Sequence, residues 1–136
     1  MLNRKQNAVI AWLSIFSAGL GLLFLLITLF TQSVHWNGGL LFVFALNIIG
    51  IYSGVGVLKG KLFPKKLLAI YWVVQIVSAR TEDFFFSFVS GIHFNFTYAT
   101  SSAAIQFNIF ATIMFLFALR LISEHVKLVE ATSDQN

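Results

Sequence analysis

Four amide side chains, Asn47, Gln75, Gln106 and Asn108, are set within long apolar runs. An uncharged amide both donates and accepts hydrogen bonds, so such residues can line a polar pathway or a ligand pocket, or they can bond a neighbouring helix and fix its packing. The packing role is the expected one, because interhelical hydrogen bonds in membranes average only about 0.6 kcal/mol and need no functional reason to persist. A second group lies at 80–93, where Arg80, Glu82, Asp83 and His93 fall close in sequence, with His35 in another polar segment. Two carboxylates and two imidazoles are enough in number for a divalent metal. Their spacing follows no ligand motif, however, and adjacent Glu82 and Asp83 diverge on either a helix or a strand. An ion pair with Arg80 at a solvated cap is expected there, with no metal and no cofactor.

The other chemistries are poorly provided for. The chain has no cysteine, which removes disulfides, thiolate nucleophiles and thiolate metal sites together. Its serines lack a nucleophile elbow, and phosphate-binding loops and dinucleotide fingerprints are missing. His125, beside Glu124 and Lys127, reads as part of an exposed extension of the last helix. No Asp, Glu, His or Lys occupies the middle of an apolar run, whereas proton-coupled transporters keep such a group at membrane depth. A non-enzymatic protein is expected.

The elements that must position these amides are apolar runs at 8–30, 39–58, 67–79 and 103–122. About 20 mostly apolar residues cross the roughly 30 Å hydrocarbon core as a helix. With 58% hydrophobic and 10% charged residues among 136, the chain suits lipid rather than water. The expected fold is therefore an all-α membrane protein: one integral membrane domain over 1–136, built as a four-transmembrane-helix bundle. The first run is too long for a secretory signal and ends without a small-residue cleavage pattern, so it is read as a retained span. The third run is the short one, since 13 residues of helix reach only about 20 Å. Snorkelling of Lys65, Lys66 and Arg80 at its flanks is expected to complete the crossing.

Charge sorting gives the orientation. With the N-terminus inside, Arg4, Lys5, Lys59, Lys61, Lys65, Lys66, Arg120 and Lys127 fall on the cytoplasmic side and Arg80 alone outside. Both termini are expected in the cytoplasm, in a multi-pass protein of the cell membrane. The net charge of +4 is accounted for by these flanks, which suit an anionic leaflet, so nucleic acid is not an expected partner.

Helix contacts in lipid rely on small residues for close approach and polar ones for bonding. The expected polar seam comprises Ser14, Ser17, Asn47, Gln75, Asn108 and Thr112. Gly21, Gly50 and Gly54 are the close-packing positions, and the 3- and 4-residue spacings place each set on one helix face.

Between the third and fourth runs lies a segment too aromatic for a solvated loop: Phe84, Phe86, Phe88, Phe94, Phe96 and Tyr98 form an expected outer aromatic cap. Ile92, Phe94, Phe96 and Tyr98 alternate with polar residues, the period of a half-buried strand. Ser90-Gly91 offers the turn of a short hairpin. Such a cap can plug the bundle or dock a partner. Asn95-Phe96-Thr97 matches a glycosylation acceptor pattern but reads as the polar side of the strand. The expected partners are the lipid bilayer and another membrane protein or a second copy of the chain. The expected function is an accessory, regulatory or protective subunit, with an oligomeric channel or carrier for a small neutral or lipid-like molecule as the alternative.

Overall fold

The computed structural model describes residues 4–31, 38–81, 85–86 and 91–133. Its order is α1 (Arg4–Thr31), α2 (Gly38–Leu58), α3 (Leu62–Val73), β1 (Val77–Thr81), β2 (Phe85–Phe86), β3 (Asn95–Ala99), β4 (Ala103–Asn108) and α4 (Ile109–Ser133). Three helices, α1, α2 and α4, are long and apolar enough to cross a membrane. The helices stand as neighbours in chain order, with α1 on α2, α2 on α3 and α3 on α4.

The expectation of an all-α bundle is corrected in its third and fourth members. In place of a helical span over 67–79, α3 starts earlier, at Leu62, and ends after 12 residues at Val73. Pro64 sits in its first turn, where the missing N–H has no helical acceptor to lose. The chain then turns through 74–76 and continues as β1. The run at 103–122 likewise begins as strand β4 and becomes helix only at Ile109. The residues explain both changes: Val77 and Ala79 alternate with Ser78 and Arg80, and Ile105 and Phe107 alternate with Gln106 and Asn108. That is a two-residue period, which puts apolar side chains on one face of a strand but scatters them around a helix.

The strands form an antiparallel sheet in the order β2-β1-β4-β3. The hairpin expected about Ser90-Gly91 is replaced by two other pairings. β3 joins β4 through a tight turn closed by the Thr100 amide on the Ala103 carbonyl (2.7 Å), and β2 joins β1. Cross-strand partners share a face. Val77, Phe107 and Phe96 stand in one row and Ala79, Ile105 and Tyr98 in the next. The opposite face carries Ser78, Gln106 and Thr97, then Arg80, Ala104 and Ala99. Its apolar side is turned outward: Phe94, Phe96 and Tyr98 are 67, 64 and 65% exposed. Ser78 on the polar face is buried.

The core lies where α3 is enclosed by its neighbours. Leu68, Tyr71 and Trp72 are fully buried, together with Ala11, Ala18, Ala111 and Ala118 from α1 and α4. The alanines allow close approach of the backbones, and the rings fill the space between them. Tyr71 meets Trp72 edge-on at 4.9 Å, and Trp72 meets Phe110 at 5.5 Å.

Candidate functional site: a buried polar belt below an outward-facing sheet

A belt of polar side chains runs through the interior from the middle of the helices to the join between helix and strand. Ser14, Ser17, Asn47, Ser53, Gln75, Ser78 and Asn108 are all buried. Ser14 is the hub between α1 and α3, accepting the Trp72 indole N–H at 3.1 Å while its hydroxyl donates to the Ile10 carbonyl at 2.9 Å. Asn47 donates to the Val43 carbonyl one turn back in α2 (2.8 Å), and Gln75, in the turn after α3, donates to the Tyr71 carbonyl of that helix (3.0 Å). Thr112 is half-buried and donates to the Asn108 carbonyl at 3.0 Å.

Asn108 closes the junction between sheet and helix. It is the last residue of β4 rather than part of a helical face. Its Oδ1 accepts the Ala111 amide at 3.1 Å, satisfying one of the unpaired donors at the start of α4, and the Phe94 amide at 3.4 Å. Its own amide donates to the Ile76 carbonyl at 2.8 Å, and the Ile109 amide donates to the Phe94 carbonyl at 2.8 Å. One side chain thus ties the entries to α4 and β3, where backbone groups would otherwise lack partners. On the sheet, Ser78 donates to Gln106 Oε1 at 3.2 Å, so Gln106 meets a strand neighbour rather than a facing helix.

Ser17 receives an unexpected partner. Its Oγ accepts the Ile92 amide at 3.1 Å, which brings the segment ahead of β3 against the middle of α1. Gly91 has φ +72°, and a Cβ there would overlap the Ser17 carbonyl oxygen and hydroxyl. Only glycine satisfies both the left-handed backbone and the close approach. Nothing in the sequence pattern links 91–92 to residue 17, so this contact was not legible beforehand.

Among the glycines expected to give close packing, Gly50 lies under Tyr71 and Ala18, where an added Cβ would come within 2.7 Å of the ring. Gly54 faces Ile15 and the Ala11 carbonyl, and Gly21 lines an outer cleft of about 390 Å³ with Phe24, Thr28, Val43 and His93. Of the expected aromatic cap, Phe94, Phe96 and Tyr98 are exposed on or beside β3. Phe86 falls in β2, and Phe84, Phe88, Glu82, Asp83 and His35 lie outside the described residues. Sequence reasoning left out Trp72 and Ser53. A tryptophan in the middle of an apolar run, away from the interface, was the available signal for the first, since its N–H must find a partner.

Among the described residues Asn108 Nδ2 has no hydrogen-bond partner, and the buried Tyr71 hydroxyl is directed at Gln75 and Ser17. The described residues hold no group of three or more histidine, aspartate or glutamate side chains placed for a metal. At the far end of α3, the buried Lys65 Nζ stands 3.2 Å from His125 Nδ1. Burial lowers the pKa of Lys65 from its usual 10.5, and attraction to Glu124 partly opposes the shift. His125 is thus half-buried against α3 rather than on a free helical extension.

Comparison with protein-family models, with curated proteins and with solved structures found no match to this chain. Its chemistry must be argued from the belt and the sheet alone. The belt is dominated by bonds within a helix or between adjacent elements, and bulky rings close its centre. The sheet, by contrast, turns aromatic side chains away from the molecule.

Proposed function

We propose that the protein is a multi-pass, non-enzymatic binding subunit of a membrane, with both termini in the cytoplasm and the aromatic face of the sheet as its contact surface. α1 and α2 supply crossings of ordinary helical length and so define the hydrocarbon layer. Ser17 is near the middle of α1, and its contact with Ile92 supports a sheet that starts near mid-depth. From Lys65 to Arg80 the nine helical residues of α3 rise about 1.5 Å each and the four of β1 about 3.3 Å each, roughly 27 Å before the turn at 74–76 is counted. The third crossing is then part helix and part strand. The exposed Arg80 marks the outer end and the exposed Lys66 the inner one, while Lys65 is buried against His125, and the Lys and Arg asymmetry supports the direction.

The observation that carries the binding reading is the outward array of Phe94, Phe96, Tyr98, Ile105 and Phe107. Aromatic residues are enriched in the cores of protein–protein interfaces, and this array sits on a paired strand ladder. A photo-crosslinking side chain at Phe96 or Phe107 tests the reading in intact membranes. One membrane protein captured in fixed stoichiometry from these positions, and not from the exposed Phe16 or Phe24 of α1, is expected. Equal yields from all four positions would contradict it.

The alternative, a carrier for a small neutral or lipid-like molecule, is favoured by the unpaired Asn108 Nδ2 and the buried Tyr71 hydroxyl. Flux through proteoliposomes above that of empty vesicles, abolished by Tyr71→Phe, would establish it over the binding role.

A further inference from the structure

The helices pack in chain order, but α1 and α4, which would close the ring, touch over little of their length. Between them lies a groove of about 270 Å³. The spacing of Lys5, Val9 and Leu13, with Gln6 and Ile10 beside them, places its α1 wall on one helix face. The buried Ile10 and Met114 form the floor, and the exposed Val9 and Phe117 stand at the rims. Polarity changes along the groove: Lys5 and Gln6 are exposed at one end, and the lining from Val9 to Leu13 is apolar. That is the polarity of a lipid with its headgroup at Lys5 and its tail directed toward the middle of α1.

The groove's size decides between a hydrocarbon chain and a further helix. A helix about 10 Å across would occupy on the order of 1,000 Å³ over the roughly 12 Å from Lys5 to Leu13. The groove offers about a quarter of that. An unbranched chain fits, and the flexible Met114 on the floor adapts to it.

Charge decides which lipid. α1 contains no Asp or Glu, so Lys5 has no carboxylate on its own helix. Trp72 touches both Ser14 of α1 and Phe110 of α4, which puts those two residues at about one level. On the orientation proposed above, α1 and α4 run in opposite directions. Lys5 precedes Ser14 by nine residues and Arg120 follows Phe110 by ten, so both cations lie about 14 Å inward of that level. Glu124 of α4 is already engaged by Arg120 at 3.5 Å. Lys5 is left as the cation that an anionic headgroup can meet.

We propose that this groove holds one acyl chain of an anionic phospholipid of the inner leaflet, with the lipid phosphate on Lys5. Every phospholipid carries a chain that the groove can seat, and lipid gives that chain no hydrophobic reason to prefer protein. The groove therefore supplies position, and Lys5 supplies the choice of headgroup. The site is separate from the aromatic contact surface and rests on the proposed orientation, which makes this leaflet the cytoplasmic one.

Photo-crosslinking side chains at Val9 and Phe117 test it in proteoliposomes of phosphatidylcholine containing about one-fifth phosphatidylglycerol, with lipid adducts identified by mass spectrometry. At both positions phosphatidylglycerol is expected about fivefold above its share of the bilayer, the selectivity of one cation near the headgroups. A crosslinker at Trp12, exposed on α1 outside the groove, should return the bilayer ratio. Lys5→Gln changes an exposed side chain and should bring Val9 and Phe117 to that ratio too. Val9→Trp fills the groove from its rim, and a several-fold fall in adducts of both lipids at Phe117 is expected.

Bilayer ratios at Val9 and Phe117, equal enrichment at Trp12, or enrichment that survives Lys5→Gln overturns the site. The orientation is read separately from Ser133→Cys at the end of α4, with an impermeant maleimide added outside intact cells. Protection together with bilayer ratios rejects the lipid site alone, whereas rapid labelling rejects the orientation and with it the inner leaflet.

Discussion

The two halves of the molecule solve one problem differently. The α1–α2 hairpin covers its path with 28 and 21 helical residues and brings the helices together over Gly50 and Gly54. The half containing α3, the sheet and α4 has a third apolar run too short to do this as a helix. It changes conformation partway and gains more than twice the rise per residue. A helix satisfies its backbone alone, while a strand needs neighbours. The second half therefore requires β4, the Asn108 cap and the Ser17–Ile92 contact, and among the described residues the outer edge of β3 has no strand beside it. An apolar run's length alone does not report how far it reaches.

The contrast breaks most sharply at Gly91. Gly91→Ala forces a side chain into the left-handed region and onto the Ser17 carbonyl, and a loss of about 3 kcal/mol is expected. Thermal unfolding in detergent should show the sheet half melting early while the α1–α2 hairpin persists. Gly54→Ala attacks the other half. Its Cβ would meet Ile15 Cγ1 at 2.5 Å and the Ala11 carbonyl at 2.9 Å, so a loss of about 1–3 kcal/mol is expected, with the helices forced apart. A cysteine pair across α1 and α2 that cross-links less readily in this variant would confirm where the damage lies.

Asn108→Ala, at the join between strand and helix, removes the cap of α4 and the hold on Phe94, and about 1–2 kcal/mol of stability is expected to go with it. Amide exchange at Ala111 and Phe94 should rise together. Trp72→Phe and Ser14→Ala each remove one end of the hydrogen bond that links the halves. About 1 kcal/mol is expected from either, and a double-mutant cycle should show the two to be coupled.

Lys65 gives the smallest effect and a pH signature. Its folded pKa lies below the 10.5 of the unfolded chain, so the native state gives up its proton first. Stability is lowest where both states hold the proton, and it rises with pH from the folded value to 10.5. Lys65→Met should raise the unfolding temperature near neutral pH by at most about 4 °C, and the gain should vanish above 10.5.

Legibility of the sequence followed the same division. The apolar runs of α1 and α2 could be read because length and composition alone decide such helices. So could the small positions Gly50 and Gly54, whose helical spacing is direct evidence of a shared face. In the other half, the apolar content of 67–79 and 103–108 hid its two-residue alternation, and length was read where period should have been. The strand character of 92–98 was visible in Ile92, Phe94, Phe96 and Tyr98. Its partner was not, because pairing with β4 depends on the turn at 100–102 and on long-range closure. Asn108 was recognised as a polar position of consequence, but its role as a cap follows only once the helix is known to begin at Ile109. Ser17 was placed on a contact face, although its partner is a backbone amide 75 residues away.

The sheet's depth is the claim on which the composite crossing depends. Single cysteines at Ile105 and Phe107 on the apolar face, and at Ser101 in the outer turn, can be labelled in intact membranes with an impermeant maleimide. Rapid labelling at Ser101 from outside, with Ile105 and Phe107 protected until the bilayer is dissolved, is the expected pattern. Labelling of Ile105 and Phe107 as fast as Ser101 would put the sheet in water and contradict the account.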